Sequence, residues 1–410
     1  MPAESGAVVQ TVRDMAKRVL DLSRSPEMNE RRELWRRHNS LQKTRPPVIA
    51  QAVSAWRELV PENSLVTEDP VNREIERQLR MRLYEAALGD DHVIDPVVTL
   101  GAVHTGAQWP DLWGVTVRVR PSGVVGGAWQ YDPPLKDPED IQKLVKPRHE
   151  VDEAATRERY ERAVELLGGL LQVHISYGKI ALSAHLANQA AYLRGLDQLM
   201  LDMLDRPVWV HSLMRFLTNA FLEYHQALER AGHISLNNWG TFCETDELPQ
   251  KDFDGIHVRR RDLWCFTEAQ EFAAVSPELH EEFLLWYQIQ ILNHFGLVSY
   301  GCCEDLTHKL QMIKRIPNLR RVAVTPWTDL RKAVDTLGKA YILSWRPNPS
   351  DVTFGFSEEK IRRIIKNGME IGGQCIIEVY LKDVETVHND PDRLRTWSRI
   401  AKEVVSEYAG

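Results

Sequence analysis

The chain has 410 residues, 58 acidic against 51 basic side chains, a formal net charge of −7 and 43% hydrophobic content. That balance excludes the concentrated basic face of a nucleic-acid binder, and no run approaches the ~18 apolar residues of a membrane span. Five cysteines, adjacent only at Cys302 and Cys303, do not make a secreted disulfide framework.

Adjacent cysteines seldom bond to each other, and residues 1–10 lack a basic segment followed by an apolar core. A cytoplasmic globular protein with reduced thiols is therefore expected, long enough for one large α/β barrel plus an extension.

Residues 11–40 are charged and helical in pattern, so 1–45 reads as an N-terminal helical extension. The basic doublets Arg31-Arg32 and Arg36-Arg37 read as solvated faces or internal ion pairs. The first strand is placed at 46–50, ahead of a helix near 72–88. Second and third strands are placed at 97–103 and 173–176. The Gly/Pro-rich stretch 109–134 reads as a long loop with a hairpin at 115–120, and such insertions in a barrel belong on the functional face. A helix opens at Pro207 and carries Leu213, Leu217, Phe221 and Leu228 at helical spacing to Gly232. A fourth strand is placed just before Asn237.

From there the punctuation is regular. Ser276-Pro277-Glu278 caps a helix to Gly296, followed by a buried strand at 297–300. A helix at 305–315, a strand at 321–325, a helix at 328–337 and a strand at 340–345 come next. A helix capped by Ser357 ends at Gly372-Gly373, then a strand at 375–380 and a last amphipathic helix at 390–408. Such alternation predicts a parallel sheet with helices outside it, a (β/α)₈ TIM barrel over 46–410. No glycine-rich phosphate turn follows a strand, which argues against an open doubly wound sheet.

In a barrel the reactive groups sit at the C-terminal ends of the strands. That rule selects Asn237, Asn238 and Trp239 after the fourth strand, read either as a polar floor or as a turn whose asparagines satisfy backbone. After the fifth come Tyr300, Cys302, Cys303 and Glu304. Trp327 follows the sixth and Trp345 and Arg346 the seventh. The eighth contributes Glu378, Tyr380, Lys382 and Asp383. Earlier strands offer His104 and His185, and Glu268 and Glu271 sit in a loop able to cover the mouth. Cys302-Cys303-Glu304 is the densest group of metal ligands. Cys302 and Glu378 supply two zinc ligands in this reading, with Cys303 or a histidine as third; small buried thiols at a tight turn are the alternative.

Four blocks resemble the uroporphyrinogen decarboxylase superfamily: 195–207 (GLDQLMLDMLDRP), 276–283 (SPELHEEF), 300–304 (YGCCE) and 341–349 (YILSWRPNP). The resemblance implies a TIM barrel. The Arg-Gln-Ala-Gly-Arg segment with which true decarboxylases grip a porphyrinogen has no counterpart near 46–57. In the corrinoid-dependent methyltransferase branch a His-x-Cys pair after the fifth strand and a cysteine after the eighth hold zinc. Tyr300 takes the histidine position and Cys302 the first cysteine, while the second cysteine is missing around Tyr380. The resemblance is therefore to members that demethylate substrates such as methoxylated aromatics and hand the methyl group to a separate corrinoid protein. It implies Tyr300 or a zinc ion easing departure of the leaving oxygen, with Glu304 and Glu378 beside it. Trp239, Trp327, Trp345 and Tyr380 would face a flat ring. No Asp-x-His-x-x-Gly loop is present, so the corrinoid is expected on a partner chain. A decarboxylase or lyase gripping its substrate through Arg346 and Lys382, and a barrel that binds a ligand without turnover, remain alternatives; a homo-oligomer is equally compatible.

Overall fold

The computed structural model describes residues 5–124, 127 and 129–408. Ten strands occur in chain order: β1 (Val48–Ala52), β2 (Val97–Gly101), β3 (Arg118–Pro121), β4 (Trp129–Asp132), β5 (Gln172–Ser176), β6 (Trp264–Thr267), β7 (Leu297–Tyr300), β8 (Leu319–Val324), β9 (Ile342–Trp345) and β10 (Ile376–Val384). β1, β10, β9, β8, β7 and β6 bond in that order into one parallel sheet, and β2 pairs in parallel with β5. β3 and β4 form an antiparallel hairpin in the insertion after β2, with strands at 118–121 and 129–132 rather than within the expected 115–120. Eight parallel strands thus follow TIM-barrel order, but as a curled six-stranded sheet plus a pair. Among the described residues the ladder is open between β1 and β2 and between β5 and β6.

The second opening corrects the expected fourth strand. Residues 233–239 span it without ladder bonds. His233 stacks on Tyr177 just beyond β5, ring centroids 3.8 Å apart. Four residues on, the Asn237 amide accepts from the Trp264 N–H and donates to its carbonyl, each at 2.9 Å. The side chain of Asn237 thus replaces a neighbouring strand at the start of β6, which is the real fourth strand.

The N-terminal helices Gly6–Ser23 and Pro26–Asn39 begin at capping serines, Ser5 and Ser25. The first packs Val12, Met15 and Val19 against Ile75, Leu79 and Leu166. The second closes the N-terminal end of the sheet, burying Trp35 with Ile49, Val93 and Tyr380. No helix among the described residues is long and apolar enough to cross a membrane.

Strand alternation and the register of the sheet decide which side chains point inward. Arg321 lies level with Ile342 and Ala323 with Ser344, and Ser344 with Glu378. Glu378, Tyr380 and Lys382 therefore rise in three successive inward layers. In the lowest, Glu378 is 1% exposed, 3.1 Å from both Arg321 and His38. Arg321 also donates to Asn39 at 2.6 Å and lies over the rings of Phe242 and Trp264. Burial pushes the His38 pKa down, so at neutral pH it is an uncharged imidazole donating to the carboxylate. Burial works to raise the Glu378 pKa, but Arg321 and His38 outweigh it and hold the value below the ordinary one.

Trp345 alternates outward instead. Its ring packs so closely on the helix Glu358–Gly372 that a Cβ on Gly368 would stand 2.1 Å from it.

Two stability predictions follow from this packing. Gly368→Ala, which would favour an exposed helix, should here lower unfolding free energy by about 1–3 kcal/mol through overpacking, measured by denaturant titration. Glu378→Ala should cost about 3–5 kcal/mol by stranding Arg321. In the wild type the contribution of Glu378 should be complete above about pH 4.3 and fade as pH falls through its lower folded pKa; acid titration of the variant should lack that component.

Candidate active site

The C-terminal ends of β6, β7, β9 and β10 meet at one mouth, built around the turn after β7. Gly301 adopts φ 102°, and a Cβ there would fall 2.9 Å from the Ala323 methyl, so the turn requires glycine. Glu304, 2% exposed, sits behind the turn and accepts the N–H groups of Cys302 at 2.7 Å and Ala269 at 3.0 Å. It thereby ties the ends of β6 and β7 together. From the front, Arg346 donates to the carbonyls of Cys302 and Gly301 and stands 5.5 Å over the Tyr380 ring.

Held from both sides, the turn presents two thiols 3.4 Å apart. The Cys303 sulfur also lies 3.3 Å from the Asp383 carboxylate. The Lys382 ammonium lies 3.6 Å from the Cys303 sulfur and 2.5 Å from the Asp383 carboxylate. A small cavity of about 130 Å³ opens onto these groups and is walled by Trp327, Pro347 and Asn348.

The electrostatics of the mouth are uneven. The hydrogen bond from Cys303, working against burial and helped by Lys382 and Arg346, brings the Cys302 pKa down to about 6. The same bond leaves Cys303 holding its proton, with its pKa far above the ordinary thiol value. Just past β6, Glu268 is pushed up to about 8, first by burial and then by the Glu271 carboxylate, with Glu304 and Cys302 adding to it. Glu271 is raised as well, chiefly by burial. Glu268 follows Phe266 by two residues, one past the end of β6, and Phe266 is 40% exposed.

Several expected site residues lie elsewhere. Tyr300 alternates outward, is fully buried and bonds His280 at 3.1 Å and Gln288 at 3.3 Å in the surrounding helical layer; it is no proton donor to the mouth. Glu304 fixes the turn's backbone with both oxygens. Glu378 belongs to the lowest layer, four residues and roughly 13 Å of strand below Lys382, so it cannot share a metal with Cys302. Asn237, Asn238 and Trp239 sit at the N-terminal end of β6: Asn237 is spent on Trp264, Asn238 donates to the Leu248 carbonyl at 2.7 Å, and Trp239 to Leu236 at 2.8 Å. Trp345 packs outward. Tyr380 bonds Gln51 and forms the middle layer beneath Arg346. What gathers at the mouth is Cys302, Cys303, Trp327, Arg346, Lys382 and Asp383, with Glu268 just past β6 near enough to feel the charge of Cys302 and Glu304. Glu268 was expected in a loop over the mouth; it follows directly on β6, whose four-residue run was too short to read as a strand.

The donors present do not fit the expected zinc site. Among the described residues no group of three or more His, Cys, Asp or Glu side chains is placed to hold a metal ion. The Lys382 ammonium, beside Asp383 and Cys303, already balances the negative charge there.

No protein-family model matches the sequence, and no curated protein matches it. Among solved structures the chain is similar to one described as "methyltransferase from Methanosarcina mazei", with a TM-score of 0.55 and 11% identity over 91% of this chain and 97% of that one. At that identity the likeness shows the fold alone.

The thiol pair predicts its own reactivity. Cys302 should be alkylated by iodoacetamide with a midpoint near pH 6, followed by peptide mass spectrometry. Cys303→Ala should move that midpoint up towards the free-thiol value of about 8.5, and Lys382→Met should move it the same way by less.

Proposed function

We propose that the protein is a methyltransferase that takes a methyl group from a small methylated substrate at this mouth and passes it to a corrinoid carried by a separate protein. The observation that carries this reading is a neutral acid at a strand end, Glu268, whose pKa is raised in part by the charge of Cys302 on the neighbouring turn, where that thiolate stands beside two cations. Groups whose environments drive their pKa values apart mark acid and base roles. Demethylation needs such an acid. As the methyl carbon leaves, the heteroatom keeps the bonding electrons, and Glu268 can protonate it; the resulting carboxylate recovers its proton from solvent. The corrinoid, when its protein docks, supplies the nucleophile that receives the methyl group. The exposed face of Trp327 suits a flat substrate ring, and the fold shared with the archaeal methyltransferase is consistent with the assignment.

The decarboxylase alternative needs Arg346 and Lys382 free to grip a carboxylate. Arg346 is committed to two backbone carbonyls and Lys382 to Asp383, which favours methyl transfer.

A panel of methoxylated benzoates, methylamines and methyl thioethers, assayed with reduced cobalamin as acceptor, should reveal a donor through the absorbance of methylcobalamin. Activity should be present below about pH 8 and fall above it as Glu268 loses its proton. Glu268→Gln should lower kcat by about 10²–10⁴-fold and abolish that alkaline limb. A variant with wild-type rate and profile would remove Glu268 from the mechanism, and no transfer from any class would favour a non-catalytic barrel.

A further inference from the structure

The adjacent thiols carry a chemistry that is independent of methyl transfer. We infer that Cys302 and Cys303 are a reactive dithiol, oxidised by a hydroperoxide through a sulfenic acid on Cys302 to a vicinal disulfide and reopened by a dithiol reductant.

Each step has its residue. The cavity gives a small oxidant access to both sulfurs. Cys302 carries the thiolate, because Cys303 donates to it and Lys382 and Arg346 stand by as cations. Attack on hydrogen peroxide breaks the O–O bond, leaving Cys302–SOH and releasing hydroxide, which is neutralised by the proton Cys302 gave up to solvent on forming its thiolate. The Cys303 sulfur is 3.4 Å away, and once Cys302 is oxidised the Cys303 proton is released to turn to the Asp383 carboxylate, 3.3 Å off. As Cys303 attacks the sulfenic sulfur, its proton passes to Asp383 and on through solvent to the departing hydroxyl group, which leaves as water, so two electrons have gone from the thiols to the peroxide. Lys382, bonded to Asp383 and 3.6 Å from Cys303, stabilises the charge that develops on the attacking sulfur.

Adjacent cysteines seldom bond because the ring must include their own peptide. Here the sulfurs must close from 3.4 Å to about 2.05 Å. The clamps from Glu304 and Arg346 act on the Cys302 backbone, so Cys303 makes the movement. Strain in so small a ring makes the bond easily reduced, as in regulatory rather than structural disulfides. Closure removes the thiolate, pulls Cys303 from Asp383 and narrows the cavity. Of the other cysteines, Cys265 and Cys375 are buried.

The test needs no turnover and therefore does not depend on the proposed activity. The full-length protein is treated with excess hydrogen peroxide, and intact and peptide masses are read alongside circular dichroism. The wild type should lose the mass of two hydrogens within the peptide spanning Cys302 and Cys303, and dithiothreitol should restore it. Cys303→Ser should stop at a sulfenic acid on Cys302 that dimedone traps, and Cys302→Ser should stay reduced. Asp383→Asn should slow ring closure by at least about tenfold, with the dimedone-reactive form accumulating. Two free thiols in the folded, peroxide-treated wild type would overturn the inference, as would sulfenic acid appearing first on Cys303 or a disulfide to any other cysteine.

Discussion

A carboxylate buried inside the sheet must find charge and hydrogen bonds there, and Glu378 finds both. An isolated carboxylate in such a place costs several kcal/mol. Arg321, one strand beyond β9, supplies the opposing charge, and His38, arriving from a helix 340 residues earlier, supplies a neutral donor. Arg321 is in turn held between two aromatic rings and by Asn39. The network joins β8, β10 and the N-terminal helix, Arg321 reaching Glu378 from one inward position lower, and leaves little freedom in how they stack.

Everything above inherits that level. Since inward positions repeat every second residue, fixing Glu378 also fixes Tyr380 as the middle layer and Lys382 at the mouth. Arg346 lies two residues past Ser344, which is level with Glu378, so it reaches the turn after β7 from a set height. The open seam between β5 and β6 is tolerated because Asn237 and the His233–Tyr177 stack take the place of strand pairing.

The mouth itself is a study in divided roles for like groups. Glu304 and Glu268 are both carboxylates near the same thiols. Glu304 accepts two backbone N–H groups and works as a clamp. Glu268 accepts a single N–H, from Gln270, and faces Glu271 in a partly dry cleft, so it keeps its proton. The two cysteines divide in the same way, one carrying the charge and the other the proton.

Much of the fold was legible because burial writes periodicity into a sequence. The runs at 297–300, 342–345 and 376–384, and the capped helix Glu358–Gly372, stand where apolar spacing and Ser, Pro and Gly punctuation put them. The turn Tyr300–Glu304 was legible as a site for the same reason, since it follows a clear strand. The fourth strand was not, because Trp264–Thr267 is too short to show a period and the asparagines before 240 look equally at home at a strand end or in a turn. Nor does sequence spacing tell which side of a strand end a residue faces. One step of alternation sends Tyr300 and Trp345 outward into the helices and brings Glu268 and Arg346 inward. The sequence by itself determined a parallel α/β barrel-like chain with adjacent thiols after a buried strand. Only the tertiary structure decided their partners, since Lys382, Asp383 and Arg346 come from distant segments whose meeting depends on register across the sheet.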